Sequence, residues 1–284
     1  MADYLRSIET DNYDDTENAV LAAVKENFAD MQPLLTVGRT RKLADAISLS
    51  CLTQTSDEPY DLEGVLDLLW GVIIDIASAV PHDQPWHDRL AEALILLRLR
   101  GEIESAGEKS LSWENLPGFA MAMREKWNDP TFLAKDTTAA DGPSFTAFRH
   151  WENLNSFAAK LSEQGFRPWT ALPIWQLRTA LEEPPEGRLV MQCRLWVAAE
   201  WLSRCAEFLY QASRSTEAVD EATAQVLRPG SLCPDVEPLS LRRWEFWKSR
   251  IRVILEQSEE KGYESTVVKR LRQAYERMTQ AETR

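Results

Sequence analysis

The longest uninterrupted helical pattern in the chain, over Arg188–Arg214, places the strongest constraint on the fold. The stretch RLVMQCRLWVAAEWLSRCAEFLYQASR contains neither Pro nor Gly, and apolar residues recur at helical spacing almost all the way round. A helix that is apolar on nearly every side is normally buried among other helices. At about 1.5 Å per residue it would be roughly 40 Å long, enough to cross a whole domain.

The rest of the chain repeats helical periodicity and shows no strand-like alternation of useful length. The periodicity predicts helices over residues 16–31, 38–53, 61–79, 85–100, 116–127, 144–163, 173–181, 188–214, 219–227, 239–257 and 263–279. We therefore predict an all-α fold of about nine to eleven helices around the long central helix. Residues 1–15 are predicted to be a disordered tail and residues 16–284 a single all-α domain.

The central helix carries one charge that its pattern does not explain. Glu200 and Arg204 belong to a narrow polar stripe, whereas Arg194 points to the same side as Trp201. A buried, unpaired guanidinium is very costly, so Arg194 must find acceptors or reach water. Two interpretations stay open: the side chain snorkels to solvent or caps a neighbouring helix, or it binds an anion in a pocket.

Charge and composition exclude several classes of protein. The net charge is −13 and no basic stripe is evident, so nucleic acid is not an expected partner. The acidic N-terminal stretch lacks the apolar run of a signal peptide, which favours a cytoplasmic protein. The most apolar segment, 65–80, is too short and too charged to span a membrane. The four cysteines have no CxxC spacing, so we expect reduced thiols, no disulfide framework and no zinc site.

The predicted helix over 61–79 is largely apolar but carries Asp75 deep in its sequence. Asp75 belongs to a stripe that either meets water or pairs with a cation such as Arg194. The loop that follows, VPHDQPWH, brings His82 and His87 close in sequence to two aspartates. These residue types can bind a metal, but they also suit a helix cap and an exposed loop, and we expect no metal.

Asparagine and tryptophan side chains on the helices add further candidates. Asn155 lies one turn after Trp151. Its side chain either tethers a loop by hydrogen-bonding the backbone of that loop, or it contacts a ligand. The chain has 11 Trp residues, among them Trp70, Trp151 and Trp201 on predicted helices. Most of them should pack in the core, while a few are candidates for lining a pocket between helices.

Known catalytic and cofactor-binding motifs are absent from the sequence. It contains no GxGxxG, GxxxxGK[ST], GxSxG or HExxH motif, and its three His residues leave few arrangements for nucleophilic catalysis. No cofactor is therefore expected, and the sequence does not decide whether the protein is an enzyme.

Several motifs together resemble those of a known family. They are DLLWGVIIDIA, VPHDQPWHDRL, WENLNSFAAKL, RRWEFWKSRI and RQAYERM, in this order along the chain. The sequence resembles a fungal helical family known as domain of unknown function 3632. The resemblance implies an intracellular fungal protein without established catalytic residues, of a kind that sometimes accompanies secondary-metabolite genes.

Two functional hypotheses follow. The first is a small-molecule pocket between helices, with cofactor-free isomerase or cyclase activity in secondary metabolism as its most specific form. Its expected lining is Asp75, Arg194, Asn155, Trp70, Trp151 and Trp201, because charges on apolar helix faces often mark functional sites. The second is a non-enzymatic interaction module that binds another protein or forms a homodimer through its C-terminal helices. Its expected surface carries Trp244, Trp247, Ile251 and Ile254.

Overall fold

The computed structural model describes residues 13, 15, 17–18, 21–22, 24–25, 36–50, 62–103, 112–134, 143–215, 217 and 219–283. Within these ranges the chain is helical, and its only β-structure is an isolated bridge between Glu102 and Ser112. Ten α-helices have both ends within the described residues: α1 Thr36–Ser50, α2 Leu62–Ala79, α3 Pro85–Arg98, α4 Phe119–Glu125, α5 Pro143–Glu163, α6 Ala171–Leu177, α7 Arg188–Arg214, α8 Glu221–Val226, α9 Leu241–Glu256 and α10 Ser265–Ala281. The all-α prediction and the expected number of helices are confirmed.

The chain divides into two compact units. The first comprises Met1–Asp129 and Arg149–Phe157, and the second comprises Pro130–Phe148 and Ala158–Arg284. Helix α5 therefore contributes its middle residues to the first unit and its two ends to the second. Apart from residues 13 and 15, the predicted disordered tail lies outside the described residues. The single domain over 16–284 stays a prediction.

Helix α2 forms the core of the first unit. Its Leu66, Leu69, Trp70 and Ile73 are almost completely buried. Helix α4 packs against α2, and α1 packs against α3. Helix α3 begins at Pro85, as predicted, because the missing N–H of proline is not needed in the first helical turn.

Helix α4 begins later than its sequence pattern predicts. Periodicity indicated a helix from residue 116, but the structure has it only over Phe119–Glu125. Leu116 and Gly118 take left-handed backbone angles, with φ of 45° and 79°. An α-helix cannot continue through such angles, so residues 116–118 form a turn.

The second unit is built on the central helix, whose observed bounds, Arg188–Arg214, are the predicted ones. Helix α10 packs along α7, and α9 contacts both of them. Helix α6 runs into a π-helical turn at Arg178–Glu182 before the chain reaches α7. Such wide turns are rare and often mark a functional or strained position.

The apolar side chains of the helices are largely buried in the core. Among the described residues, no helix combines the length and the low charge that a membrane span requires.

Candidate functional site

The three tryptophans predicted to line a pocket have the contacts of core side chains. The Trp70 Nε1–H donates to the carbonyl of Pro117 at 2.6 Å. The ring of Trp151 meets that of Trp127 edge-on, with centroids 4.8 Å apart. Trp201, in the second unit, is fully buried. None of the three lines either of the two grooves described below.

Asp75 pairs with a cation, as one of the sequence interpretations proposed, and the cation is Lys126. The Lys126 ammonium lies 2.9 Å and 3.1 Å from the two carboxylate oxygens. The Tyr13 hydroxyl donates to the same carboxylate at 2.7 Å. Burial, and then the bond to Asp75, raise the pKa of Tyr13 above its ordinary value. The pKa of His150 is lowered by burial, against the opposing charge of Asp75.

Arg194 belongs to the second unit and finds its partners there. Its Nε–H donates to the Thr131 hydroxyl at 2.9 Å, and its guanidinium lies 5.2 Å from the ring centroid of Phe132. Both partners belong to a 3₁₀ turn, Pro130–Phe132. Arg194 therefore fixes a turn against the central helix, which is closer to the capping interpretation than to an anion pocket.

The loop after α2 is tethered by an asparagine of α5, Asn153. Its side chain donates to the Ser78 carbonyl at 2.8 Å and accepts from the His82 N–H at 2.9 Å. The Asn155 side chain instead donates to the Trp151 carbonyl, one turn earlier in its own helix. The tethering role of Asn153 was not predicted, because helical spacing does not show where a loop returns.

His87 is a core residue of the first unit. It is fully buried, and its Nε2 lies 3.0 Å from the Asn153 carbonyl oxygen. Because a carbonyl only accepts, Nε2 carries the proton in this contact. In the described part of the chain, no three His, Cys, Asp or Glu side chains are grouped so as to hold a metal ion.

The C-terminal helices do not offer the predicted apolar surface. Trp244, Trp247, Ile251 and Ile254 are all buried within the second unit. The face proposed for self-association is thus already covered by the chain itself, and that part of the prediction was wrong. A homodimer stays a prediction that would need another surface.

The second unit contains a buried ion pair that no sequence pattern predicts. The side chains of Glu182 and Arg243 are both 0% exposed. The Arg243 Nε and Nη2 groups donate to the two carboxylate oxygens at 2.7 Å and 3.0 Å. Glu182 is the last residue of the π-helical turn and Arg243 lies in the first turn of α9. This bidentate pair therefore joins two elements through residues 61 positions apart.

Every polar group of this ion pair has a partner. Arg243 also donates to the carbonyls of Leu227 and Pro238, each at 2.6 Å, and to that of Arg228 at 3.5 Å. Glu182 also accepts from the Gly230 N–H at 2.6 Å and from the Trp247 indole N–H. We call these partners and the ion pair the Glu182–Arg243 network. Its complete hydrogen bonding is what makes such a buried pair tolerable.

The first groove of the second unit, which we call the arginine groove, has a volume of about 480 Å³. It runs beside the C-terminal half of α7, between the ends of α5 and α10. Its charged and aromatic lining consists of Arg167, Arg204, Arg277, Glu163, Glu207 and Phe208. A groove of this size is in the range that small ligands occupy in proteins.

All three arginines of the arginine groove have defined contacts, and that of Arg277 is a hydrogen bond to the Gln280 side chain at 3.3 Å. Arg204 donates to Glu200 at 2.6 Å and to Glu163 at 2.7 Å. Burial alone would lower the pKa of Arg204, but the charges of these two glutamates raise it. The Arg167 guanidinium lies 4.6 Å from the ring centroid of Phe208, and its Nε–H donates to the backbone at 2.8 Å. Among the side chains that line the groove, three guanidinium groups stand against two carboxylates.

The cysteine of the arginine groove is not an activated nucleophile. Burial is the main cause that raises the pKa of the Cys205 thiol to about 12. The thiol also lies 3.7 Å from the Ala159 carbonyl, to which it donates. Because the thiolate is the reactive form of cysteine, Cys205 is protonated and inert near neutral pH.

A second groove, which we call the aromatic groove, lies elsewhere in the same unit and has a volume of about 470 Å³. It is formed by α9 and the C-terminal ends of α7 and α10. Its rings come from Tyr210, Trp244 and Tyr275. Neither groove was predicted, because each is assembled from helices that are distant in sequence.

Comparisons with known proteins give a match to a sequence family and assign no activity. The sequence model of a family described as "Protein of unknown function (DUF3632)" matches residues 70–251. No curated protein and no solved structure matches the chain. The match covers more than half of the sequence, from the middle of α2 into α9. It includes Arg167 and Arg204 of the arginine groove and the whole Glu182–Arg243 network, but not Arg277.

Proposed function

We propose that this chain, which belongs to the DUF3632 family of proteins of unknown function, binds a small anionic molecule in the arginine groove. The observation that supports the proposal is the excess of guanidinium groups over carboxylates in a groove of about 480 Å³. The chain as a whole carries a net charge of −13. An excess of guanidinium groups in the lining of one groove is therefore not explained by composition.

The chemistry of the ligand follows from the arginine side chains. A guanidinium presents a planar fork of N–H donors that matches a carboxylate or a phosphate. Arg167 is fixed by its stacking on Phe208, and Arg277 approaches the groove from α10. We expect the ligand to carry at least one carboxylate or phosphate and to place its remaining polar groups near Gln211 and Gln280.

Binding, rather than turnover, is the part of the first hypothesis that this lining supports. The protonated Cys205 thiol supplies no nucleophile. A cofactor-free isomerase or cyclase would need an acid and a base beside the ligand, and such an activity stays a prediction, as does a role in fungal secondary metabolism. Native mass spectrometry of protein from its natural host, beside its denatured mass, would identify a retained ligand.

The proposal is tested by calorimetric titration with citrate and inorganic phosphate, with trehalose as an uncharged control. We expect the anions to bind, and Arg277→Gln to weaken binding by roughly 10- to 100-fold, the value of a hydrogen bond to a charged group. Arg272→Gln is the matched control, because Arg272 is exposed on the same helix and lines neither groove. Equal weakening by both variants, or no anion binding at millimolar concentration, would refute the proposal.

A protein-interaction module is the second candidate function. It is supported by two adjacent apolar side chains, Phe132 and Leu133, which are 68% and 87% exposed. Exposed apolar side chains that adjoin each other are more typical of contact surfaces than isolated ones. Light scattering of the wild-type protein and of Phe132→Ser/Leu133→Ser tests self-association through this turn. A wild-type protein that is monomeric at all concentrations would exclude self-association through this turn.

A further inference from the structure

The aromatic groove differs from the arginine groove in its chemistry. The rings of Tyr210 and Trp244 lie 5.3 Å apart at an angle of 51°. The ring of Tyr275 has the Lys248 ammonium 5.4 Å from its centroid. Three aromatic side chains therefore border a groove of about 470 Å³. Tyr210 and Tyr275 are partly exposed there, whereas Trp244 is almost completely buried. The ring of the arginine groove is Phe208, stacked under Arg167.

The charges of the aromatic groove cancel. Its lining contains two positive side chains, Lys248 and Arg252, and two negative ones, Glu245 and Glu282. Glu282 accepts from the Lys248 ammonium and, at 2.9 Å, from the Trp244 indole N–H. This ion pair fixes the indole at the groove, and the groove offers no net charge to attract either a cation or an anion.

We propose that the aromatic groove is a second binding site, for an uncharged planar aromatic molecule. Aromatic rings attract one another in offset or edge-on arrangements, which Tyr210 and Tyr275 offer to a flat ligand. A ligand without net charge matches the cancelled charges of the lining, and a polar edge would meet Glu245 or Arg252. The inference does not depend on anion binding in the arginine groove, because the lining residues of the two grooves are different.

The indole N–H groups of the protein make the proposal testable at one position. The chain has 11 Trp residues, and selective ¹⁵N labelling of tryptophan gives one indole signal for each of them. Trp244→Phe identifies the signal of Trp244. The Trp247 indole, on the same helix, donates to Glu182 inside the Glu182–Arg243 network, so its signal serves as an internal control.

The experiment is a titration of the labelled full-length chain with 2-naphthalenemethanol. We expect the Trp244 signal to shift in a saturable way while the Trp247 signal stays in place. Cyclohexylmethanol, which is not aromatic, should leave the Trp244 signal in place, and 2-naphthoate, which is anionic, should bind more weakly than the alcohol. A Trp244 signal that does not move, or that moves equally with cyclohexylmethanol, would overturn the proposal.

A pair of variants separates the groove from general aromatic adhesion. Tyr275→Leu removes one ring of the aromatic groove and should raise the Kd for 2-naphthalenemethanol by about two- to tenfold. Tyr263→Leu is the matched control, because Tyr263 is a partly buried tyrosine outside both grooves. Equal effects of the two substitutions, with the other indole signals unchanged, would also overturn the proposal.

Discussion

The Glu182–Arg243 network allows one prediction to be worked out quantitatively. Glu182→Gln keeps the size of the side chain but removes its charge. All of the partners of the carboxylate are donors: two groups of Arg243, the Gly230 N–H and the Trp247 indole. The new amide NH₂ group must therefore face another donor, and the Arg243 cation is left buried without a counter-charge.

The expected loss in the free energy of unfolding follows from the complete burial of both side chains. Breaking a buried ion pair by removing one partner typically costs about 3–5 kcal/mol. At about 1.4 kcal/mol per factor of ten, this lowers the folding equilibrium constant by roughly two to three and a half powers of ten. With a urea m-value of about 3 kcal/mol/M, the denaturation midpoint should fall by about 1–1.7 M.

Urea denaturation followed by circular dichroism measures this loss, with Glu163→Gln as the matched control. Glu163 makes the same kind of contact with Arg204, but the two side chains are 47% and 29% exposed. A surface pair contributes at most about 1 kcal/mol, so this variant should unfold close to the wild type. If Glu182→Gln lowers the free energy of unfolding no more than Glu163→Gln does, burial of the charges does not decide the stability of this pair.

Four further predictions concern other positions. Asn153→Ala should lower the free energy of unfolding by about 2 kcal/mol, because it removes the tether of the loop after α2. Urea denaturation measures this loss, and Asn153→Asp, which keeps the acceptor oxygen, should show a smaller one. Gly71→Ala should raise stability by about 0.5–1 kcal/mol, because Gly71 lies inside a helix and a Cβ there meets no atom within 4 Å. Gly230→Ala should instead destabilise, since its Cβ would lie 2.7 Å from the Glu182 carbonyl oxygen, and thermal unfolding of both variants tests the contrast. Because burial lowers the pKa of His150 in the folded state, the unfolded state binds the proton first and stability should fall as the pH drops below about 6.5. Thermal unfolding across pH should show a weaker acid dependence for His150→Gln, and an unchanged profile would contradict the assignment.

The secondary structure was largely predictable from the sequence because each helix has a local cause. The stretch Arg188–Arg214 has no helix breaker within it and follows the EEPPEG segment, so both of its ends were placed correctly. The start of α4 was not predictable from periodicity, because it depends on the left-handed backbone of Leu116 and Gly118. The π-helical turn before α7 has no distinct residue pattern from which it could be predicted.

The candidate site was much less predictable because its parts meet only in the folded chain. Asp75 and Arg194 were singled out as charges on apolar faces, and each proved to have partners that no local pattern indicates: Lys126 and Thr131. Glu182 and Arg243 went unnoticed because each stands beside ordinary polar residues in the sequence. A charge that will be buried looks the same in a sequence as a charge that will be solvated, until the partner helix is known.

The donors of Arg243 also determine which residues its position can accept. A guanidinium has five N–H donors, and here they serve five acceptors: both oxygens of Glu182 and the carbonyls of Leu227, Arg228 and Pro238. A lysine at the same position would conserve the charge but bring three donors from a single nitrogen. At least two of the five hydrogen bonds would then be lost. An exchange that substitution tables treat as conservative is therefore, at this position, a change in how a whole loop is held.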